Sequence, residues 1–295
     1  MTGAGPLLAP EALLERLDDP RIRVVDCRWV LGQPGADRVA YDAGHVPGAV
    51  YLDVDGDLAA SAEIGPGRHP LPEVGAFTRR LEAAGIGDEH RVVAYDDVGG
   101  WVAARLWWML DVLGHHAVAV LDGGWGAWLA AGGPVSDEVP APPPARLTLA
   151  DHWSRTIDRD ALRARLGEVV LLDARGAPRY RGEVEPIDAY PGHIPTARSA
   201  PTDGNLAPDG RFLPPAALAA RLRSLGADGS EGEVVTSCGS GVSACINALA
   251  MRLAGLPDPV LYVGSYSDWS RAGLPVALGP DPGDPPTVHD RAPVA

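Results

Sequence analysis

Short apolar runs alternate with segments of helical period along most of the chain. Runs rich in Val and Leu are typical of strands that are buried on both faces. They occur at Ile22–Asp26, Arg91–Tyr95, 117–121, 169–173, Val234–Ser237 and 260–263. Apolar positions with helical spacing predict helices at 11–17, 72–85, 101–113, 158–166, 214–225 and Ala244–Leu253. This alternation predicts an α/β fold in which a parallel sheet carries helices on both faces.

The two halves of the chain repeat the same landmarks at nearly constant separations, which indicates a duplicated domain. The landmark pairs are Asp26 and Asp173, His45 and His193, Asp96 and Cys238, and Trp128 and Trp269, at separations of 147, 148, 142 and 141 positions. We therefore predict a non-catalytic N-terminal domain at 1–136 and a catalytic C-terminal domain at 150–278. A proline-rich linker at 137–149 would join them, and 279–295 would form a flexible tail.

The segment from Cys238 to Cys245 joins a predicted strand to a predicted helix. A thiol on such a turn faces the free N–H groups and the positive end of the helix dipole, a setting that binds anions and favours the thiolate. Gly239 and Gly241 follow the thiol closely, which favours a reactive cysteine over a buried structural one. The first copy has Asp96 at the matching position, so only the second copy carries a nucleophile there.

Composition excludes several classes of function. The formal net charge is −14, which argues against nucleic acid or an anionic membrane as a partner. The basic residues are all arginine, so Schiff-base chemistry on lysine is excluded. Three cysteines without ligand spacing predict neither a metal site nor a disulfide framework, and no cofactor is expected. We see neither a signal peptide nor a membrane helix, and expect a cytoplasmic monomer.

Three motifs resemble those of the two-domain rhodaneses, which are thiosulfate and 3-mercaptopyruvate sulfurtransferases. The first motif is Tyr41-Asp-Ala-Gly-His45-Val-Pro-Gly-Ala49, and the second is Asp173-Ala-Arg175 followed by Arg179-Tyr180-Arg181-Gly182. The third, Cys238-Gly-Ser-Gly-Val-Ser243-Ala-Cys245, is similar to the active-site loop of the mercaptopyruvate branch, because the thiosulfate branch has a basic pair after the cysteine. The resemblance covers about residues 7–278 and implies tandem rhodanese-like domains.

The resemblance implies transfer of a sulfane sulfur through a Cys238 persulfide to a thiol or cyanide acceptor, which could be thioredoxin-like. Asp55 and His69 would act as a relay through Ser240 to deprotonate a thiol donor. Arg179 would hold the donor anion, and Asp173 would support the active-site loop or an arginine. Backbone and side-chain donors of the loop would surround the sulfur; these are Gly239, Gly241, Val242, Ser243 and Ala244.

The preferred donor stays open at this point. Mercaptopyruvate enzymes carry a second arginine in a segment like Glu-Pro-Arg, where this chain has Glu185-Pro186-Ile187-Asp188. An aspartate at that place resembles the thiosulfate branch, so thiosulfate:cyanide transfer is the main alternative activity.

Three other functions were considered; two are less well supported than sulfur transfer to a small molecule, and the third cannot be distinguished from it by sequence. A phosphatase on this fold class needs an arginine six positions after its nucleophile, where this chain has Ala244. A binding module suits only the first copy, and a relay to another protein's cysteine leaves no readable motif. His45 and His193 occupy matching turns and are interpreted as packing histidines.

Overall fold

The computed structural model describes residues 5–63 and 65–286, which form two compact units. The first unit comprises the chain up to Ala60, Pro72–Ser154 and Leu206–Phe212. The second comprises Ser61–Leu71, Arg155–Asn205 and the chain from Leu213 onward. Each unit therefore includes a segment from the other half of the sequence, and the segment that bears Arg68 and His69 belongs to the second unit. The limits of the predicted domains and linker stay a prediction.

The first unit contains a parallel sheet of five strands in the order β1-β5-β4-β2-β3. Its strands are β1 (Leu7–Leu8), β2 (Ile22–Asp26), β3 (Val50–Tyr51), β4 (Arg91–Tyr95) and β5 (Val118–Leu121). Its helices are α1 (Pro10–Leu14), α2 (Ala36–Ala43), α3 (Val74–Ala83), α4 (Ala103–Val112) and α5 (Gly124–Ala130).

The second unit repeats this architecture, with a parallel sheet in the order β6-β10-β9-β7-β8. Its strands are β6 (Thr156–Ile157), β7 (Val170–Asp173), β8 (Arg198–Ser199), β9 (Val234–Ser237) and β10 (Val260–Tyr262). Its helices are α6 (Arg159–Ala164), α7 (Ala177–Tyr180), α8 (Pro215–Ser224), α9 (Ala244–Leu253) and α10 (Ser265–Arg271), with a 3₁₀ turn at Thr202–Asn205. Because both sheets have the same strand order, the predicted duplication and fold class are confirmed.

Strands β5, β7 and β9 are buried throughout and β4 is buried except at Arg91, as their apolar runs predict. The sequence analysis did not predict several of the shortest strands and helices. Strands β1, β6 and β8 have two residues each, too few to show a pattern, whereas the equally short β3 was expected after the turn at His45. Helix α2 follows the left-handed Gly35, and helix α7 is a single turn with Pro178 near its start.

Residues just beyond β10 and α10 pack onto the second unit. His193 Nε2 lies 3.1 Å from the Asp281 carbonyl oxygen, and the Pro282 carbonyl oxygen accepts a hydrogen bond from the backbone amide of Thr196. The part of the predicted flexible tail from position 287 onward lies outside the described residues. Within the described ranges, no helix combines the length and apolar character needed to cross a bilayer.

Each unit contains the same buried aspartate–arginine pair at the end of its second strand. Asp173 accepts from the Nε and Nη2 atoms of Arg175, and Arg175 Nη2 also donates to the carbonyl of Gly192 at 2.7 Å. Asp26 and Arg28 repeat these bonds in the first unit. Because the unit without the nucleophile keeps the same pair, the geometry agrees with the supporting part predicted for Asp173, which stays a prediction.

The histidines of the matching turns are also held in the same way. His193 stacks on Tyr180 with ring centroids 3.8 Å apart, and its Nδ1 lies 2.8 Å from the Tyr180 carbonyl oxygen. His45 stacks on Tyr41 at 3.9 Å with the same contact to the Tyr41 carbonyl. Burial lowers the pKa of His193. The packing interpretation of both histidines agrees with this geometry.

Asp96 fills the turn between β4 and α4 with its own carboxylate. Oδ1 accepts from the amides of Val98 and Gly100 at 3.0 and 2.8 Å, and Oδ2 accepts from Val102 and Ala103 at 2.8 and 2.9 Å. The carboxylate is fully buried. The turn that corresponds to the Cys238 loop is therefore an anion-binding nest of backbone N–H groups, here occupied by a side chain of the loop itself.

We expect Asp96→Ala to destabilise the first unit by about 3 kcal/mol or more, because four amides, three of them buried, lose their acceptors. The measurement is hydrogen–deuterium exchange of peptides that cover β4 and α4, which reports the opening free energy locally. The matched control is Asp97→Ala, which removes an exposed neighbouring carboxylate. Equal exchange in the two variants would contradict the prediction.

Candidate functional site

Cys238 begins the turn between β9 and α9, and the start of α10 fixes its backbone. The amides of Tyr266 and Ser267 donate to the carbonyls of Cys238 and Gly239, each at 2.9 Å. Ser265 Oγ accepts from the Cys238 amide at 3.1 Å. Ser265 has a positive φ of 52°, an uncommon conformation for a residue with a side chain. Hydrogen bonds thus join the start of α10 to the backbone of the nucleophile loop.

The sulfur of Cys238 is buried against amides of its own loop. The Gly241 and Ser240 N–H groups donate to Sγ at 3.1 and 3.4 Å, and the residue is 1% exposed. Gly241 has φ +81°, and a Cβ there would lie 2.4 Å from the Val263 carbonyl oxygen. Only glycine fits this position without displacing backbone, and its amide can then point at the sulfur.

His69 lies against the same loop from a different segment. Its Nδ1 lies 2.7 Å from Ser240 Oγ, and both side chains are buried. Gly67 holds the segment in place with φ +75°, because a Cβ there would approach the Gly264 carbonyl oxygen to 2.4 Å. His69 therefore contacts Ser240, and the backbone amide of Ser240 contacts the Cys238 sulfur.

Two guanidinium groups lie beside Gly239. A Cβ at that position would be 2.9 Å from Arg68 Nη2 and 3.5 Å from Arg179 Nη1. Arg179 is paired with Glu185 at 2.7 Å and with Asp188 at 3.0 Å, so it makes an ion pair and also faces the loop. The first unit has Ala40 at the place of Arg179, directly before the stacked tyrosine. This arginine is thus particular to the unit with the thiol.

A chain of ion pairs connects these arginines to the strand ends. Glu185 lies between Arg179 and Arg175, and Arg175 stacks over the Tyr266 ring at 3.7 Å. Burial alone would raise the pKa of Glu185, but hydrogen bonds from Arg179 and from the Asp188 amide outweigh it, so this pKa is lowered. Burial opposes the charge of Arg175, yet Asp173 raises its pKa overall. Glu185 and Arg175 are therefore both charged at neutral pH.

A cavity of about 310 Å³ opens within the second unit on this side of the loop. It is lined by Arg68, Ile187, Asp188, Ala189, Ser267 and Arg271. Ser267 is the residue whose amide binds the Gly239 carbonyl. The cavity is thus large enough for a small anion and carries cationic groups on its wall.

The remaining predicted site residues belong to the nucleophile loop, to the helix that follows it or to the first unit. The carbonyls of Val242 and Ser243 accept from the amides of Cys245 and Ile246, so these residues form the first turn that leads into α9. Ala244 is the first residue of α9. Asp55 belongs to the first unit, where its carboxylate accepts from Trp29 Nε1 at 3.1 Å.

The sequence analysis missed Arg68 as a site residue. Its partner Asp188 is 120 positions away, and no local pattern marks such a pair. One signal was available: Arg68 directly precedes His69, which was already a candidate, and the segment 185–188 lacked the expected arginine.

Comparison with known proteins agrees with this geometry. The model of the Rhodanese-like domain matches residues 9–131 and 158–272. A relative in Pseudomonas aeruginosa, described as a probable 3-mercaptopyruvate sulfurtransferase, is 44% identical over 92% of this chain and 98% of its own length. The thiosulfate sulfurtransferase of Rattus norvegicus is 34% identical over 87% of each chain. The chain therefore belongs to the rhodanese family, as a two-domain member, and is a sulfurtransferase.

A solved structure has a similar fold over most of this chain. The 3-mercaptopyruvate sulfurtransferase of Leishmania major superimposes with a TM-score of 0.80 at 33% identity, over 91% of this chain and 75% of that chain. The family and the enzyme class predicted from the motifs are confirmed. The roles of the individual site residues stay predictions.

We expect Gly241→Ala to lower sulfur transfer by about 100-fold or more, because the new methyl group forces the loop amides away from Sγ. The methyl group of the matched substitution Gly239→Ala would meet only the ends of the Arg68 and Arg179 side chains, which can move. Its effect should be smaller and confined to the KM for the donor. Steady-state kinetics of both variants is the measurement. A Gly241→Ala enzyme as active as Gly239→Ala would refute this account of the loop.

Proposed function

We propose that Cys238 is the nucleophile that accepts the transferred sulfur as a persulfide. The observation that carries the proposal is the pair of amides, from Ser240 and Gly241, that point at its buried sulfur. N–H groups so placed stabilise a thiolate and then a persulfide anion, as the matching amides stabilise the Asp96 carboxylate in the first unit. An acceptor thiolate or cyanide removes the outer sulfur and regenerates the thiolate.

We further propose 3-mercaptopyruvate as the principal donor. In this reaction the Cys238 thiolate attacks the donor sulfur and the sulfur–carbon bond breaks. The electron pair of that bond goes to the donor carbon, and the donor's thiol proton ends on the methyl group of pyruvate. This donor therefore needs a proton carrier beside the sulfur. His69, hydrogen-bonded to Ser240 at 2.7 Å, is placed to serve as one. The part assigned to Asp55 in this relay stays a prediction.

Thiosulfate is the second candidate donor. Its outer sulfur is transferred and sulfite leaves with the electron pair of the broken sulfur–sulfur bond, so no proton has to move. The cationic groups beside Gly239 support this donor, because sulfonate oxygens are good acceptors for guanidinium N–H groups. The aspartate at position 188 supports it only through the resemblance to the thiosulfate branch. Both donors would use the same thiol.

The acceptor is proposed to be a small thiol, cyanide or the cysteine of a thioredoxin-like protein. The charge of the chain, −14, still argues against nucleic acid. The monomeric state and the cytoplasmic location stay predictions.

We expect the protein to gain the mass of one sulfur atom when it is incubated with 3-mercaptopyruvate and freed of excess donor. Intact mass spectrometry measures this gain. Cys238→Ser should show no gain and no turnover, whereas Cys245→Ser, which alters a buried helical thiol, should still load. Loading of the Cys238→Ser protein would exclude Cys238 as the carrier.

We expect His69→Gln to lower kcat with 3-mercaptopyruvate by about 100-fold or more, because the amide can hydrogen-bond Ser240 but cannot carry a proton. With thiosulfate, kcat should change by less than about threefold, since that donor delivers no proton. The measurements are fixed-time assays of pyruvate release from 3-mercaptopyruvate and of sulfite release from thiosulfate. The control is His152→Gln, which changes an exposed histidine and should leave both rates intact. An equal loss with both donors would count against a proton-transfer role.

A further inference from the structure

The residue beside Gly239 that has unused hydrogen-bonding capacity is Arg68. We propose that Arg68 is a donor-binding residue, and that it grips the oxyanion group of the sulfur donor with the Nε and Nη2 edge of its guanidinium. This inference rests on the sulfurtransferase function proposed above and names the residue that selects the donor. It places a second guanidinium beside Arg179 although the segment 185–188 contains no arginine.

The hydrogen bonds of Arg68 leave one edge of its guanidinium free. Nη1 donates to Asp188 Oδ1. Nε is buried and has no partner among the described residues, whereas buried polar atoms are normally paired. Nη2 is the Arg68 atom that faces Gly239. The Nε–H and Nη2–H groups of arginine point in the same direction and fit two oxygens of a carboxylate or sulfonate at once.

The backbone of Arg68 is fixed relative to the nucleophile loop. Its amide donates to Ser267 Oγ at 3.1 Å, and the Ser267 amide donates to the Gly239 carbonyl at 2.9 Å. The next residue, His69, contacts Ser240. Consecutive side chains of one segment therefore reach consecutive residues of the loop, one with a cation and one with an imidazole.

The charges around Arg68 favour an anionic donor. The connected ion pairs of the described chain balance three guanidinium groups against three carboxylates, namely Arg68, Arg175 and Arg179 against Asp173, Glu185 and Asp188. Arg271 adds a further cation to the wall of the 310 Å³ cavity that Arg68 and Asp188 also line. A donor anion that enters this cavity meets an excess of positive charge at the end where Arg68 has its free edge.

Asp188 explains why Arg68 can hold this orientation. Its side chain is 3% exposed, and its two oxygens bind Arg68 and Arg179 separately. A carboxylate placed between two guanidinium groups keeps them apart and prevents their mutual repulsion from displacing either. Asp188 is thus a positioning residue, and Arg68 is the residue that contacts the donor.

The test compares three sulfur donors on the wild-type protein and on Arg68→Gln. Two donors carry an oxyanion group, 3-mercaptopyruvate and thiosulfate, and the third, inorganic polysulfide, carries sulfur without oxygen. Single-turnover loading of Cys238, followed by intact mass, gives the half-saturating concentration of each donor. We expect Arg68→Gln to raise this concentration at least tenfold for both oxyanion donors, with the loading rate at saturation and the polysulfide reaction within threefold of wild type.

Three further variants distinguish donor binding by Arg68 from a structural effect. Arg68→Gln with Asp188→Asn removes the carboxylate that the single change leaves with one partner fewer, and it should show the same tenfold loss. Arg181→Gln changes an exposed arginine paired with Glu183 and should behave as wild type. Arg68→Lys should recover only part of the affinity, because an ammonium has charge but no planar fork.

The outcomes separate this inference from the function beneath it. A wild-type protein that neither oxyanion donor loads would refute the proposed function. A loaded wild type with an Arg68→Gln variant of unchanged half-saturation would refute the role of Arg68 alone. An equal loss for polysulfide and for the oxyanion donors would also refute it, since it would show that Arg68 supports the loop without binding the donor.

Discussion

The structure depends on the capacity of a strand-to-helix turn to bind negative charge with its backbone amides. The same turn is built twice. In the first unit it encloses the buried Asp96 carboxylate with four amides, and in the second it directs two amides at the Cys238 sulfur. A carboxylate oxygen and the outer sulfur of a persulfide both lie two bonds from Cβ. In the first unit the turn therefore binds the carboxylate of its own Asp96, whereas in the second unit the turn can bind a sulfur anion formed at Cys238.

The need to direct several backbone amides at one point also determines the identity of residues that do not contact a donor. Amides can converge on one point only if the turn adopts a left-handed conformation, which Gly241 provides, and if an outer layer holds the turn there. The start of α10 is that layer, because its amides bind the Cys238 and Gly239 carbonyls. A basic side chain within the loop is not needed for the thiolate. Cationic side chains are instead placed beside Gly239, where an incoming donor would be bound.

The sequence predicted what depends on local pattern and missed what depends on distant pairs. Strand β9 and helix α9 were predicted with their exact limits, since a β-branched run and an apolar helical period are both local. The His69–Ser240 contact, over 171 positions, was expected only through the family resemblance. Neither a local pattern nor the family resemblance indicated Arg68. Its significance comes from Asp188, 120 positions away, and from a turn that the chain order does not place beside it.

The pairing of Arg68 with Asp188 also accounts for the departure of this chain from the mercaptopyruvate pattern. A buried carboxylate at position 188 is tolerated only with cationic partners, and Arg179 alone already serves Glu185. Arg68 supplies the missing charge from another segment. Because one N–H edge of its guanidinium is enough to hold Asp188, the opposite edge is left over for a ligand. In this proposal Asp188, which stands in the segment where mercaptopyruvate enzymes carry an arginine, is the group that orients Arg68 toward the donor.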